Sequence, residues 1–266
     1  MAFLSYFKIP KLSYRLWRVW ARNRDVFMKT FRVNFLAPLL EPLLYLVAMG
    51  FGLGLFIQQI NGVPYIQFIA PSLVAVSMMY ASFYECTYGS FVRMYYQKTF
   101  DAIVATPVSF EEVVAGELLW GATRSLINAS LVLAVIFVWG LTSGPAFLMI
   151  FPLAFLVGLL FSSIAMCFTA ISPSIDSFNY PFFLFITPMF LFSGTFFPIT
   201  VLPPSVQLLA QALLPLTHSV NIARGLTLGR IDISMITSLI WLAAATLIFF
   251  VLAINLMARK LIGRSA

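Results

Sequence analysis

The chain has 266 residues, of which 61% are hydrophobic and only 9% are charged, and its mean hydropathy is +0.98. Soluble domains carry about 25% charged residues, so this composition excludes a soluble globular protein and indicates an integral membrane protein. The net charge of +7 lies beside apolar segments, which favours lipid headgroups and membrane topology over nucleic acid as its explanation.

The N-terminal segment predicts an amphipathic helix over about residues 10–30. Basic residues recur there at steps of three and four, among them Arg15, Arg18 and Arg22, and Trp20 lies with the apolar residues of the opposite side. A wide apolar face with a basic edge is typical of a helix that lies in the membrane interface. A basic flank that only orients the first span is the alternative. Because the first residues lack an unbroken apolar run, we expect no cleavable signal peptide.

Six apolar segments are long enough to cross a bilayer, which takes about 20 residues of helix. They are predicted at about 34–57, 65–88, 118–140, 146–170, 179–197 and 235–257. We therefore predict an all-α integral membrane fold with six transmembrane helices. A single transmembrane domain accounts for the whole chain, residues 1–266, and no soluble domain or linker is expected.

Lys and Arg are distributed unevenly between the two sides of this layout. Fourteen of the sixteen lie in the N-terminal segment, around the connection between spans two and three, or at the C-terminus; Arg224 and Arg230 are the exceptions. Basic residues collect on the cytoplasmic side of a membrane. We therefore expect both termini and the 97–121 connection to be cytoplasmic, residues 198–234 to lie outside, and the protein to reside in the cell's inner membrane.

Residues 97–121, which we call the elbow, are predicted to form a structured connection. A short amphipathic helix is expected over Thr99–Ala105, where Pro107 ends it by fixing its own φ and pushing Thr106 out of the α region. Ser109 with Glu112 three residues later is a capping-box pattern that opens a second helix. An ordered elbow offers a surface that a soluble partner can grip, whereas an ordinary ordered loop is the alternative.

Ionisable residues at membrane depth are costly and are candidates for function. Glu41 falls early in the first span, Glu85 late in the second, and Arg124 about two turns into the third. We predict that Arg124 pairs with Glu41 or Glu85 across helices. A purely structural pair, or a side chain that reaches back to the interface, is at least as good an interpretation as a role in substrate binding.

Aromatic residues make up 16% of the chain, and several lie in the second span. Tyr80, Tyr84 and Tyr88 are candidates for the lining of a path for a cargo that carries sugar or lipid, because their rings are apolar and their hydroxyls are polar. Aromatic side chains that merely face lipid are the more usual explanation.

No catalytic or metal site is predicted. Cys86 and Cys167 fall in apolar spans without CxxC spacing, and we interpret them as small buried hydrophobic residues. His218, the single histidine, is expected to make a structural hydrogen bond. It lies in the outer loop 198–234, where prolines interrupt apolar pieces and predict a pair of short re-entrant helices.

Two stretches carry a resemblance to a known family. The pattern I-x-A-T-P-V-S-x-x-E-x-x-x-G-E-L-L at Ile103–Leu119 resembles the signature loop of ABC-2 type exporter permeases. The stretch Phe192–Gly229 resembles the outer loop of the branch that includes exporters of nodulation factors, which are lipo-oligosaccharides. The resemblance covers essentially the whole chain.

The resemblance implies partners as well as a fold. Two permease chains pair, usually as identical copies, and two ABC ATPase subunits dock below them on the elbows, while the N-terminal interfacial helix touches the ATPase. Since the chain lacks G-x-x-x-x-G-K-[ST], ATP and Mg are expected in the partner subunit and no cofactor in this chain. By position in the family motif, the expected ATPase-coupling residues are Phe100, Asp101, Ile103, Val104, Thr106, Pro107, Ser109 and Glu112.

The sequence thus predicts the permease subunit of an ATP-binding-cassette exporter, which moves a lipid-linked saccharide or another amphipathic cargo out across the inner membrane. A multidrug or lipid exporter permease is the alternative within the same family. An intramembrane acyl- or glycosyltransferase would need His, Asp or Glu groups that converge at one depth. A secondary transporter would need paired broken helices and an ionisable site at the midplane. Neither pattern is well represented.

Overall fold

The computed structural model describes residues 9–30, 40–142 and 144–265. Helices form nearly all of its regular structure, as the all-α prediction requires. In chain order the helices are α1 (Leu16–Lys29), α2 (Leu40–Leu55), α3 (Tyr65–Tyr96), α4 (Thr99–Val104), α5 (Phe110–Val138), α6 (Pro145–Ile171), α7 (Ile175–Phe192), α8 (Pro204–Leu213), α9 (Pro215–Leu228) and α10 (Ile233–Ser265).

The described residues contain five helices that are long and apolar enough to cross a membrane, namely α3, α5, α6, α7 and the part of α10 over Ile233–Leu261. The first predicted span, 34–57, corresponds to the shorter apolar helix α2, and its residues 34–39 lie outside the described residues, as do Lys8 and Arg32 of the charge count. The chain is a multi-pass helical membrane protein, and the layout with six spans stays a prediction.

Two helices are longer than the spans predicted from apolar runs. Helix α3 continues to Tyr96 rather than ending at residue 88, and α5 begins at Phe110 rather than at 118. The prediction counted apolar residues, whereas Arg93, Glu112 and Glu117 are helical residues that find polar partners inside the protein. A buried charge that is paired does not interrupt a helix.

The core of the bundle is formed where α6 packs against α3, α5 and α10. Small residues allow α5 and α6 to approach closely: a Cβ atom on Gly121 would lie 2.2 Å from Ser162 Oγ, and one on Gly158 would lie 2.4 Å from Ser125 Cβ. Ser125 also donates a hydrogen bond to the carbonyl of Ala154 across this contact, at 2.9 Å. Close packing of small residues with hydrogen bonds between helices is typical of membrane bundles.

A two-stranded hairpin precedes α3 and is the only β-structure in the described residues. Its strands are β1 (Gln59–Ile60) and β2 (Val63–Pro64), antiparallel with Ile60 opposite Val63. Asn61 and Gly62 form the turn with φ of 50° and 74°. Asn-Gly favours this left-handed turn because it matches the twist of the flanking strands.

Residues 198–234 contain two short helices, α8 and α9, and the chain breaks between them at Leu214; that they re-enter the membrane from the outside stays a prediction. Helix α9 packs against α3 and α10. The predicted structural hydrogen bond of His218 is confirmed: Nε2 donates to the carbonyl of Gln211 at 2.8 Å, and Nδ1 lies 3.1 Å from Ser238 Oγ. Burial lowers the pKa of His218, so the ring is neutral at pH 7 and Nδ1 accepts from the serine.

Candidate coupling and transport site

The elbow folds as a short helix, a turn and the start of a long helix. Helix α4 covers Thr99–Val104, and Ser109 caps α5 with a complete capping box: its hydroxyl accepts from the backbone N–H of Glu112, whose carboxylate accepts from the N–H of Ser109. The two hydrogen bonds measure 3.3 and 2.8 Å. Local sequence therefore determines where the elbow bends, since a cap of this kind satisfies donors that the helix itself leaves free.

The predicted coupling residues divide into exposed and buried groups. Asp101, Thr106 and Pro107 are exposed, whereas Ile103 and Val104 are half-buried against the core. Phe100 is 0% exposed, so its predicted place on the contact surface of the elbow is wrong. The ring faces the bundle because α4 lies flat on it, and Phe100 anchors the elbow from beneath.

Several hydrogen bonds, which we call the clasp, tie the segment before α1 and α1 itself to the elbow. The Ser13 hydroxyl donates to Glu112 Oε1, Arg15 donates to the carbonyl of Pro107, and Arg22 Nη2 donates to Thr99 Oγ1 at 3.3 Å. Glu112 therefore serves both the α5 cap and the N-terminal segment. Sequence reasoning missed this clasp, because its partners are about 77 to 99 positions apart in the chain and share no local pattern.

A cleft of about 760 Å³ lies between α1 and the elbow. It brings together two sets of residues that were predicted separately. From α1 and the residue before it come Arg15, Arg18 and Arg22, and from the elbow come Ile103, Thr106 and Pro107. The cleft thus combines a basic wall with a partly apolar one.

Helix α1 packs on α5 over part of its surface. Val19, Asn23 and Phe27 are buried there, and a Cβ atom on Gly116 of α5 would lie 2.6 Å from Val19 Cβ, so only glycine allows this approach. Trp20 lies off the cleft and donates its indole N–H to Thr123 Oγ1 at 2.9 Å. That α1 lies in the membrane interface stays a prediction.

Beneath α1 lie four charged groups, Glu85, Arg93, Glu117 and Arg124, which we call the ion network; Glu117 is buried and the other three are half-buried. Arg93 lies between two carboxylates, 2.9 Å from Glu85 and 2.6 Å from Glu117, and Arg124 Nε lies 3.3 Å from Glu85. The predicted pairing of Arg124 with Glu85 is confirmed. Two positive and two negative charges balance, which offsets the cost of removing each from water.

The ion network continues to α1 and the elbow through neutral and basic groups. Asn23 Nδ2 donates to Glu117 Oε1 at 2.6 Å, and Arg22 Nη1 donates to Asn23 Oδ1 at 2.9 Å. Burial and the charge of Arg93 lower the pKa of Arg22, while Glu117 opposes that shift, so α1 is electrostatically coupled to the network. An unbroken series of polar contacts thus runs from Thr99 in the elbow to Arg124 in α5.

The far side of the ion network borders a cavity of about 440 Å³, the tyrosine cavity. The structure brings to it all three ionisable residues that the sequence placed at membrane depth, together with two of the three tyrosines. Its lining includes Glu41, Tyr80, Tyr84, Glu85, Arg124 and Asn128. Arg124 Nη1 has no hydrogen-bond acceptor within the part of the chain that the structure describes.

Aromatic rings close one side of the tyrosine cavity. Tyr80 and Tyr84 lie 6.0 and 5.4 Å from the ring of Phe182 on α7, measured between centroids. Tyr88 is not in the cavity lining: its ring packs against Phe178 at 5.2 Å and lies 5.9 Å from the ring of Tyr84, so it adjoins the lining without forming part of it. The cavity can therefore offer ring faces, hydroxyls and charged groups to one ligand.

No metal centre emerges. Within residues 9–30, 40–142 and 144–265, no three His, Cys, Asp or Glu side chains come together in a way that could hold a metal ion. Cys86 is buried and Cys167 is partly buried, and both are free thiols.

The sequence matches the ABC-2 type transporter family over residues 14–228. The chain belongs to the ABC-2 type transporter family. It is the permease subunit of an ABC exporter, and membership of this family implies association with an ABC ATPase subunit.

Relatives of this ABC-2 permease match it along most of its length. It is 34% identical to "Nodulation protein J" of Sinorhizobium fredii, over 92% of this chain and 93% of that one. It is 37% identical to "Nodulation protein J" of Rhizobium meliloti, over 83% and 84% of the two chains, and 25% identical to "Inner membrane transport permease YadH" of Escherichia coli, over 92% and 93%. No solved structure matches the chain.

Proposed function

We propose that this permease exports a lipid-linked saccharide across the inner membrane. The observation that carries the proposal is the tyrosine cavity, where rings of Tyr80 and Tyr84 adjoin the charged groups Glu41, Glu85 and Arg124. Sugars stack their apolar faces on aromatic rings and hydrogen-bond through their hydroxyls, so a cavity of mixed character suits them. The resemblance of the outer loop to that of lipo-oligosaccharide exporters supports the same cargo.

The driving step is ATP hydrolysis in the partner subunit, which holds ATP and Mg. The cleft between α1 and the elbow is the docking place for that subunit, with Ile103, Thr106 and Pro107 on one wall and Arg15 and Arg18 on the other. Movement of the elbow reaches the tyrosine cavity through Arg22, Asn23 and the ion network. On this basis both termini and the elbow are cytoplasmic.

Two identical permease chains and two ATPase subunits form the working unit. Helix α2 exposes a row of apolar side chains at steps of three and four, Leu40, Leu44, Val47 and Phe51, and α7 exposes Tyr180, Phe183 and Leu184. Because α2 supplies Glu41 to the tyrosine cavity and α7 supplies Phe182 beside it, pairing through these helices places two cavities near the symmetry axis.

Export measured in cells and in reconstituted vesicles tests the cargo. Deleting the gene should trap a glycolipid or lipo-oligosaccharide inside the cell. Tyr80→Ala or Tyr84→Ala should lower its export about 5- to 10-fold, as expected from the loss of about 1 kcal/mol of ring stacking. Tyr96→Ala is the matched control, since it removes an exposed tyrosine of the same helix that lies outside the cavity lining.

Two results would contradict this proposal. Unchanged extracellular and surface glycans, together with a loss of resistance to hydrophobic drugs, would favour a multidrug exporter, which the same aromatic cavity could serve. Hydrolysis of ATP by the isolated chain would contradict the division of labour between permease and ATPase.

A further inference from the structure

A second polar region lies at the opposite end of α3 from the elbow and centres on Arg224 of α9. Arg224 contacts the first turns of α3: Nη2 donates to Ser72 Oγ at 2.6 Å and Nε donates to the carbonyl of Phe68 at 3.3 Å. With a rise of 1.5 Å per residue, Ser72 lies about 20 Å along the helix from Glu85. This region is therefore distinct from the ion network and the tyrosine cavity.

Arg224 is a half-buried cation whose protein partners are all neutral. Besides Ser72 and Phe68, it donates to the carbonyl of Gly194 at 2.9 Å, and its guanidinium carbon lies 3.7 Å from the centre of the Phe68 ring. All nine Asp and Glu residues of the chain lie in the described ranges, and none of them forms an ion pair with Arg224. A buried charge without a counter-charge is costly.

The guanidinium also retains free donors. Its protein acceptors are bound to Nε and Nη2, so in the described part of the chain the two N–H groups of Nη1 have no acceptor. Arg224 lines a cavity of about 270 Å³, the Arg224 cavity, together with Asn221, His218 and Ser234.

Two further hydroxyls in this cavity lack partners. Ser193 is 2% exposed and Thr217 is 8% exposed, both line the Arg224 cavity, and neither hydroxyl has a hydrogen-bond partner among the described residues. Buried hydroxyls without partners are costly, so they are usually satisfied by a protein group, a water or a ligand. Three independent side chains thus present unused donors to one cavity.

We propose that the Arg224 cavity binds a phosphate group, with Arg224 as its counter-charge and Ser193 and Thr217 as hydroxyl donors. A phosphate accepts several hydrogen bonds at once and supplies the negative charge that the chain does not provide.

The surroundings suit the headgroup of a phospholipid. Helix α8, which contributes Gln211 to the cavity, exposes Leu209 and Leu213, and α10 exposes Ile236 and Ile240 near the same cavity. Acyl chains can lie along these side chains while the phosphate enters the cavity. Inorganic phosphate has the same chemistry as the headgroup and is the alternative source of the bound phosphate. The proposal stands independently of the cargo and of the ATPase.

Lipid binding to the purified full chain tests the site. Native mass spectrometry with dioleoylphosphatidylglycerol should show one saturable site, which dioleoylglycerol, lacking the phosphate, does not fill. Arg224→Gln should weaken binding about 10-fold or more, as expected for the loss of a hydrogen bond to a charged group. Arg230→Gln is the matched control, because Arg230 is an exposed cation at the same end whose contact with the Asn61 carbonyl is long, at 3.4 Å.

Thr217→Val keeps the test valid even where Arg224→Gln folds poorly. It removes a hydroxyl that no described residue satisfies, so a purely structural role predicts an unchanged or higher melting temperature and unchanged binding. The proposal predicts the same stability but binding weakened about 3-fold or more.

A rise in melting temperature with inorganic phosphate, abolished by Thr217→Val, would assign the site to the free ion. Absence of binding by both probes, or binding that neither variant alters, would overturn the proposal.

Discussion

The carboxylate of Glu117 holds three helices together. It is 1% exposed and accepts hydrogen bonds from two other helices: from Asn23 on α1, and from Ser90 and Arg93 on α3. Because it lies on α5, it joins α1, α3 and α5 at one point. A neutral residue of the same shape can preserve some of these hydrogen bonds but cannot balance the charge of Arg93.

We therefore expect Glu117→Gln to destabilise the protein. Leaving Arg93 with Glu85 as its only carboxylate partner should cost about 3 kcal/mol, which lowers the melting temperature by about 5–10 °C for a chain of this size. Thermal unfolding of the purified variant in detergent measures this shift. Asp101→Asn, which neutralises an exposed carboxylate in the elbow, should leave the melting temperature nearly unchanged. Equal melting temperatures for Glu117→Gln and the native protein would show that the ion network is dispensable.

The elbow is an element whose shape comes from local chemistry and whose position comes from tertiary contacts. Ser109, Glu112 and Pro107 determine where α4 ends and α5 begins. Phe100 beneath and the clasp of Ser13 and Arg15 above hold that shape against the bundle. A docked partner can therefore push on the elbow without deforming it, because the elbow is tied to α1 and α5 together.

We expect Ile103→Asp and Pro107→Ala to insert normally yet to lose ATPase association and transport. Ile103→Asp places a carboxylate in the partly apolar wall of the cleft, and Pro107→Ala removes the constraint that ends α4. Co-purification with the ATPase should fall about 10-fold or more for each, since an unpaired charge at an interface costs more than 1.4 kcal/mol.

Asn61→Asp is the control for these two variants, because it adds the same charge at the exposed hairpin turn before α3. It should leave co-purification intact. Normal transport by both elbow variants would reduce the elbow to a passive connection.

At the scale of the whole molecule, α3 organises the protein. One of its ends meets the elbow and α1, and its other end meets α9 and the hairpin. The ion network and the Arg224 cavity therefore lie at different depths along one buried helix. If the elbow end is cytoplasmic, the Arg224 cavity faces the outer side of the membrane.

Single cysteines in a background that lacks Cys86 and Cys167 test this orientation. Residues 61 and 205 are exposed at the far end from the elbow, so cysteines at Asn61 and Ser205 should react with a membrane-impermeant maleimide added to whole cells. A cysteine at Ser265 should react only after permeabilisation, because the excess of Lys and Arg predicts a C-terminus inside the cell. Labelling of Ser265 from outside would reverse the orientation and remove the elbow from the cytoplasm.

Several features followed from the amino-acid sequence alone, because they depend on composition or on neighbours in the chain. Apolar runs located the long helices, and the spacing of Ser109 and Glu112 located the start of α5. The prolines of the outer loop indicated two short helices, α8 and α9. Each of these signals acts over a few residues, where helix geometry and capping chemistry leave little choice.

Only the tertiary structure decided which polar groups meet. Arg93 counted in the sequence as one more cytoplasmic cation, yet it lies between Glu85 and Glu117 at the centre of the ion network. Phe100 matched a contact motif but is buried. Arg224 counted in the sequence as one of two basic residues on the outer side, yet it lines a cavity. The partners of these side chains are tens of residues away in the chain, so helix packing, and no local pattern, determines whether a charge is paired, buried or left open to a ligand.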